Sequence, residues 1–559
     1  MLEALLLSVI VGLAAWFVIQ RKRRLSFFKD LGIPGPPPSF ISGNLSEVIR
    51  KGALVTFKEW LEKYGDIVGF YNGAHPFIIV KDLELIKKVQ INDFNNFTSR
   101  GMMSGFARTH PILTQSVTHA EGDHWKKMRS LITPAFTTSN MKKMMSHMDD
   151  TTNEFFDIIE TLRPKHKAIE FRQLFQRLAA DVIIRSAFGL KSNLQQKGRT
   201  NSTTESLFQD SLASFQQFRR AWINFLTACF PEFTPLWTMV ISYSSGLSKT
   251  ATDRMCDEIS AVVEFRRGNH EKDRSDLLQL MLNAEVEDEA PIDMHLLTTS
   301  VDADSTYTES QPAKVNSRKK SFLTNMEVMA NCISFFVAGF ETTATALAYT
   351  AYLLARHPNI QGRLREEVMG VLKRDVRHIH NHLWHFFIRH VSLAEEHVMF
   401  QGIFTYDNVF SMKYMEQVIS ESLRFYAPVT GFATRGCAAD YVYEGISIPA
   451  GTTILIPNYH MHHDLAFWKQ PEMFDPERFS PENKGQGDLA AYQPFGQGPR
   501  MCVGIRFAQL EMRLTLAKLM AKYKLVLDDR HLKEKELKVE STFFLTYPKN
   551  GIWLKLEKI

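Results

Sequence analysis

The decapeptide Phe495-Gly-Gln-Gly-Pro-Arg-Met-Cys-Val-Gly504 limits what this chain can fold into more than any other stretch, because it sets one cysteine on a glycine-rich loop that opens directly into a helix. Apolar periodicity from Val503 to Leu525 predicts that helix. Cys502 is thereby a candidate metal ligand, since only the thiolate binds metal and free backbone N–H groups at a helix N-terminus lower a thiol's pKa. Gly496, Gly498 and Gly504 remove Cβ atoms where the backbone has to pass close to a flat group, and Arg500 offers a fixed cationic fork for a carboxylate. The plainer alternative is a buried structural cysteine beside an ordinary loop.

Bulk properties narrow the class. At 559 residues the chain exceeds the usual single-domain length, and 45% apolar with 23% charged residues is ordinary for a globular protein. Five cysteines, Cys229, Cys256, Cys332, Cys437 and Cys502, lack paired spacing, which argues against a disulfide framework or zinc cluster and for a reducing compartment. A formal net charge of +5 is too small and too dispersed for nucleic-acid binding, and no basic stripe interleaves with aromatics.

The N-terminus differs from the rest. Ala4 to Ile19 is apolar apart from Ser8 and Gly12, and Arg21-Lys-Arg-Arg24 follows. As a helix this run reaches about 24 Å, slightly short of the ~30 Å hydrocarbon core, so it spans with snorkelling flanks or local thinning. A cleaved signal expects the positive charge before the apolar run, the reverse of this order. Residues 1–20 therefore read as a transmembrane anchor with the basic cluster on the cytoplasmic side. Residues 21–38 read as a stop-transfer and hinge whose proline run, Ile33-Pro-Gly-Pro-Pro-Pro38, is a stiff spacer.

Residues 39–559 form the body. A hairpin is predicted from Ile67 to Tyr71 and Phe77 to Lys81 around Asn72-Gly73, long helical patterns dominate afterwards, and β structure returns between Phe543 and Leu556. The expected fold is mainly α (α+β), helix-rich with small sheets. Glu285 to Lys320 is polar and aperiodic, an exposed linker. Residues 377–402 do not fit their surroundings: six histidines, His378, His380, His382, His385, His390 and His397, stand around Trp384, Phe386, Phe387 and Ile388. The histidines can be read as a metal site, but the segment reads better as an insertion in a surface connection after a helix ending near Lys373.

Further motifs stand apart in sequence. Thr324-Asn-Met-Glu327 is a capping box that starts a helix to Leu354, with Ala338-Gly-Phe-Glu-Thr-Thr343 midway. Glu421-Ser-Leu-Arg424 puts opposite charges on one helix face, and by itself such a pair is usually a solvated salt bridge. Pro476-Glu-Arg-Phe479 lies downstream, and Trp125 and Arg129 are four apart on another predicted helix.

Taken together, F-x-x-G-x-R-x-C-x-G, A-G-x-E-T-T, E-x-x-R, P-E-R-F and W-x-x-x-R resemble the cytochrome P-450 superfamily of haem-thiolate monooxygenases from Pro34 to Leu556, and details around Trp125, Phe404 and Gly498 resemble its family-3 branch of microsomal enzymes. The resemblance implies haem b with Cys502 as iron ligand, and Phe495 and Gly504 as further contacts of the cysteine loop. It implies propionate contacts from Arg100, Trp125, Arg129, Arg435 and Arg500, proton delivery by Glu341 and Thr342, and a structural network of Glu421, Arg424 and Arg478. It implies an apolar substrate pocket drawn from residues 105–117, 207–230, 335–338, 429–434 and 543–546. Electrons would come from NADPH through a flavoprotein reductase, with cytochrome b5 a second candidate donor, at the cytosolic face of the endoplasmic reticulum. Lys126, Lys127, Lys142 and Lys143 are a candidate docking patch for an acidic partner or a solvated face. Two rivals remain: a haem-thiolate isomerase or dehydratase of peroxides, and a membrane haem protein whose insertion impairs turnover. The substrate itself cannot be read from the residues.

Overall fold

The structure, a computed structural model, describes all residues except 1, 102–110, 197–201, 221, 234, 238, 241–242, 244–250, 269–275, 288–319, 384–403, 432, 484–488 and 542–543. Its principal helices are α1 (Leu2–Asp30), α2 (Gly122–Ile132), α3 (Thr138–Leu162), α4 (Phe171–Ser186), α5 (Asn325–Arg356), α6 (Pro358–Leu383), α7 (Lys413–Phe425) and α8 (Ile505–Lys522). The main sheet contains β1 (Ile67–Asn72), β2 (His75–Val80), β3 (Thr434–Gly436) and β4 (Thr453–Leu455), in the order β1-β2-β4-β3. Only the β2–β4 pair is parallel, with Phe77 opposite Thr453. The expected hairpin is present, its turn formed by Gly73 and Ala74 with Asn72 paired to His75.

Helix α5 runs through the middle of the core. The capping box closes its start: Glu327 N–H donates to Thr324 Oγ1 at 3.2 Å and Thr324 N–H to the Glu327 carboxylate at 2.7 Å. Its apolar residues join α3, α4, α7 and α8 in one large hydrophobic cluster, while two smaller clusters lie about the sheet. A mid-helix glycine costs about 1 kcal/mol relative to alanine. At Gly339 close packing explains it, because a Cβ there would come 2.7 Å from Ile183 Cδ1 on α4.

Four boundaries differ from expectation. Helix α1 does not stop near residue 20 but continues through the basic cluster to Asp30, because its last turns pack on the body: Phe28 is buried over Gly69, and Arg21 is buried with Nε donating to the Phe40 carbonyl at 2.9 Å and a second nitrogen to that of Ile41. The proline segment is likewise no free hinge. The Pro34 carbonyl accepts from Gly69 N–H at 2.8 Å, and Asn44 Nδ2 donates to that of Pro37 at 3.2 Å. Helix α8 ends at Lys522, and Tyr523–Leu527 turns into a strand paired with Trp553–Lys558. Helix α6 passes Lys373 and runs to Leu383, so the first part of the proposed insertion continues that helix and the remainder lies outside the described residues. The expected linker begins and ends in an antiparallel pair, Glu285–Glu287 with Lys320–Phe322, and its interior also lies outside them.

Leu5–Asp30 is long and apolar enough to cross a membrane, with mean hydropathy 1.6 and only 6% buried. Asn325–Arg356 passes the same test of length but is mostly buried, as a core helix is. Beside α1 lies an aromatic-rich stretch that includes Phe230, Phe233 and Trp237. Phe17 packs against Phe230 and Phe233 at centroid distances of 6.3 Å, Arg24 pairs with Glu232 at 2.6 Å, and Phe233, Leu236, Met239 and Tyr243 are exposed. Removing residues 1–19 should therefore weaken binding to lipid vesicles without abolishing it. Cosedimentation with all of the truncated chain in the supernatant would show α1 to be the only membrane contact.

Candidate active site

The cysteine loop is folded by its own backbone. Gly496 N–H donates to the Gln493 carbonyl at 3.1 Å, Met501 N–H to Gly498 at 2.9 Å and Cys502 N–H to Phe495 at 2.9 Å. Gly498 has φ +70°, and a Cβ there would lie 2.0 Å from the Gln90 carbonyl oxygen, so the loop passes tightly against its neighbour. Gly504 differs from expectation: its φ is −89° and a Cβ would meet only Phe136 at 3.8 Å, an ordinary contact. Cys502 keeps accessible surface although the body packs around it. Burial pushes the thiol's pKa up, while the Gly504 N–H, Arg129 and Arg100 oppose that shift.

Around it stand four arginines from four parts of the chain. Arg435 on β3 donates to the carbonyls of Thr434 at 2.8 Å and Gln497 at 3.2 Å. Arg100 donates to the Arg500 carbonyl at 3.2 Å. Arg500 donates to Thr118 at 3.2 Å and also to Ala120, and stacks 4.5 Å from the Trp125 ring centroid. Arg129, one turn after Trp125 on α2, is buried and makes no side-chain hydrogen bond or ion pair among the described residues. Burial lowers all four pKa values, to about 10 for Arg100 and Arg129, and mutual repulsion adds to this at Arg100, Arg435 and Arg500. Nε of Arg129, Arg435 and Arg500 lacks a hydrogen-bond partner among the described residues. Buried cations that repel one another are costly, so this cluster suits a polyanionic group. No group of three or more His, Cys, Asp or Glu able to hold a metal occurs among the described residues. A metal on Cys502 would draw its other ligands from a non-protein group, and a carboxylate-bearing iron macrocycle fits both demands.

Facing this region is α5. Ala338 is exposed although it sits in mid-helix, and Thr342 Oγ1 donates to its carbonyl at 2.6 Å, an i−4 bond within α5. Glu341 points elsewhere. Its carboxylate is held on α4 by Arg172 and by Gln176 Nε2, the latter at 2.7 Å. No spacing or motif pointed to these partners, which lie more than 160 residues away. His119, in the segment that grips Arg500, was also missed.

The Glu-Arg pair is no solvated bridge. Glu421 and Arg424 on α7 are fully buried and joined by two hydrogen bonds of 2.7 and 2.9 Å. Arg478 Nε and Asp475 N–H also donate to Glu421, at 3.3 and 2.9 Å. Arg424 further donates to the carbonyls of His462 at 2.6 Å and Pro471 at 2.8 Å. Burial pushes the Glu421 carboxyl up, against the pull of Arg424. His462 in turn accepts Gln493 N–H at 3.0 Å, which ties the network to the segment leading into the cysteine loop.

A cytochrome P-450 family model matches residues 33–554. The chain belongs to the cytochrome P-450 family. It is 30% identical to cytochrome P-450 3A12 of Canis lupus familiaris over 503 residues, 89% of this chain and 86% of that protein. Similarity to cytochrome P-450 3A11 of Mus musculus is also 30%, over 529 residues, 94% of this chain and 92% of that one. Membership in this family makes the protein a haem-iron oxidoreductase of the monooxygenase type. Of the expected pocket segments, residues 105–110, 221, 432 and 543 lie outside the described residues, whereas Phe208 is buried against Phe340 at 5.8 Å.

Replacing Glu421 with Leu should strand Arg424 and destabilise the body by about 3–5 kcal/mol. Denaturant unfolding of the variant with an unchanged midpoint would show the network to carry no stability.

Proposed function

We propose that the chain is a membrane-anchored haem-thiolate monooxygenase that transfers one oxygen atom of dioxygen to a lipophilic small molecule, with electrons from an NADPH-dependent flavoprotein reductase at the cytosolic face of the endoplasmic reticulum. The observation that carries this reading is the juxtaposition of one accessible thiol with four buried guanidinium groups. Bound haem would supply iron whose thiolate ligand favours O–O cleavage.

Each residue then has a task. Cys502 would hold the iron, with the Gly504 N–H stabilising the thiolate. Arg100, Arg129, Arg435 and Arg500, with the Trp125 N–H, would hold the two carboxylates. Thr342 is placed to pass a proton by turning its hydroxyl away from the Ala338 carbonyl. Glu341 would feed that hydroxyl only after loosening from Arg172 and Gln176. Phe136, packed edge-on to Phe335 at 5.7 Å, helps exclude water beside Gly504. For partner docking, Lys127 and Lys143 are the better candidates, because Lys126 pairs with Asp123 at 3.1 Å and Lys142 with Asp407 at 2.8 Å. Cytochrome b5 would compete for the same basic face.

Cys502→Ser should abolish the red-shifted Soret band of the reduced carbon monoxide complex, and its retention would remove Cys502 as ligand. Thr342→Ala should keep that band but divert NADPH oxidation to hydrogen peroxide, lowering product per NADPH by an order of magnitude or more. Unchanged coupling would exclude Thr342 from proton delivery. Long insertions in surface connections cost little, so deleting residues 384–402, between α6 and the buried Phe404, should also leave the band intact. Loss of haem in that variant would make the segment integral to the enzyme.

A further inference from the structure

The segment Ser116–Ala120 does more than pass between two helices. Val117 N–H donates to Asn331 Oδ1 at 2.8 Å, and Thr118 Oγ1 lies 2.7 Å from Ser334 Oγ, so α5 fixes its position at two points. The carbonyls of Thr118 and Ala120 both accept from the Arg500 guanidinium. His119 is the residue between them. Its Nδ1 lies 3.1 Å from Ser116 Oγ, and with the Ser116 hydroxyl donating to Nδ1 the single proton of the neutral ring sits on Nε2, so the imidazole is tethered rather than free to rotate. It is largely enclosed but keeps accessible surface, as Cys502 does.

We infer that His119 is an additional positioning residue of the anion cradle, donating a ring N–H to a haem carboxylate beside Arg500 and Arg100. The inference rests on the haem-binding reading above. A neutral imidazole suits this place. A fifth cation beside Arg100 and Arg500 would add repulsion, and burial together with those two charges lowers the His119 pKa to about 4. A neutral ring still presents an N–H to a carboxylate, and a donor to an ionised acceptor makes one of the stronger hydrogen bonds.

The test measures release of haem from the full-length protein to excess apomyoglobin, for the parent, His119→Leu and His119→Gln. It is repeated with the dimethyl ester of iron protoporphyrin IX, which lacks ionised carboxylates. With haem, the Leu variant should release roughly tenfold faster, the scale of one charge-assisted hydrogen bond, and the Gln variant, which keeps an N–H donor, should stay near the parent. With the ester the three rates should converge. Ser116→Ala, which frees the ring from its tether, gives a second variant and should fall between parent and Leu with haem only. Parental rates in both the Leu and Ser116 variants, or a Leu effect equally large with the ester, would overturn the inference while leaving the haem reading intact. A parent protein that takes up no haem would instead overturn the reading on which it rests.

Discussion

Four guanidinium groups buried around one thiol are an arrangement that no isolated polypeptide would favour. Their charges repel, and burial strips them of water. Much of the surrounding structure keeps them in place. Arg435 and Arg500 each spend two donors on backbone carbonyls, and Arg100 spends one on the carbonyl of Arg500 itself. Because these acceptors are main-chain atoms of the cysteine loop and its neighbours, the loop and the cations fix one another. A dianionic flat group entering here relieves the repulsion, and binding energy of that kind counts toward folding stability.

Support for the loop comes from two directions. On one side the Glu421–Arg424–Arg478 network joins α7 to the segment around Pro471, and His462 carries the connection on to Gln493. On the other, α5 approaches α4 closely because Gly339 has no side chain to keep Ile183 away. That approach also brings Glu341 within reach of Arg172 and Gln176. One glycine thus serves packing and sets where the neighbouring carboxylate is held, beside an exposed Ala338 whose carbonyl accepts from Thr342 Oγ1.

The membrane side is organised by contacts of α1 with the body. Arg21 reaches the carbonyls of Phe40 and Ile41, Phe28 lies over Gly69, and the proline segment hydrogen-bonds to β1 through Pro34. Phe17 and Arg24 meet the stretch around Phe230 to Phe233, so that α1 and the exposed aromatic and aliphatic residues there form one apolar region. Such contacts restrict how the body tilts at a bilayer in a way that a free linker would not.

The cysteine loop and the capping box of α5 were legible in the sequence because each is made by residues close together in the chain, where geometry follows from spacing alone. The helix-rich class and the apolar first helix were legible for the same reason, as periodicity and run length are local quantities. Helix ends were not: α1 runs to Asp30 because Phe28 finds a pocket at Gly69, and α6 outlasts Lys373, which no local stop signal announced. Strands of three residues such as Thr434–Gly436 and Thr453–Leu455 are too short to show a period, and only pairing across the sheet defines them. Motif resemblance gathered Arg100, Trp125, Arg129, Arg435 and Arg500 together, but it could not say that the Arg129 side chain makes no hydrogen bond or ion pair among the described residues or that Arg500 stacks on Trp125. Tertiary structure alone decided the burial of Glu421 with Arg424, the capture of Glu341 by α4 and the place of His119. Burial and charge proximity depend on residues hundreds of positions apart, and one-dimensional spacing carries no record of those distances.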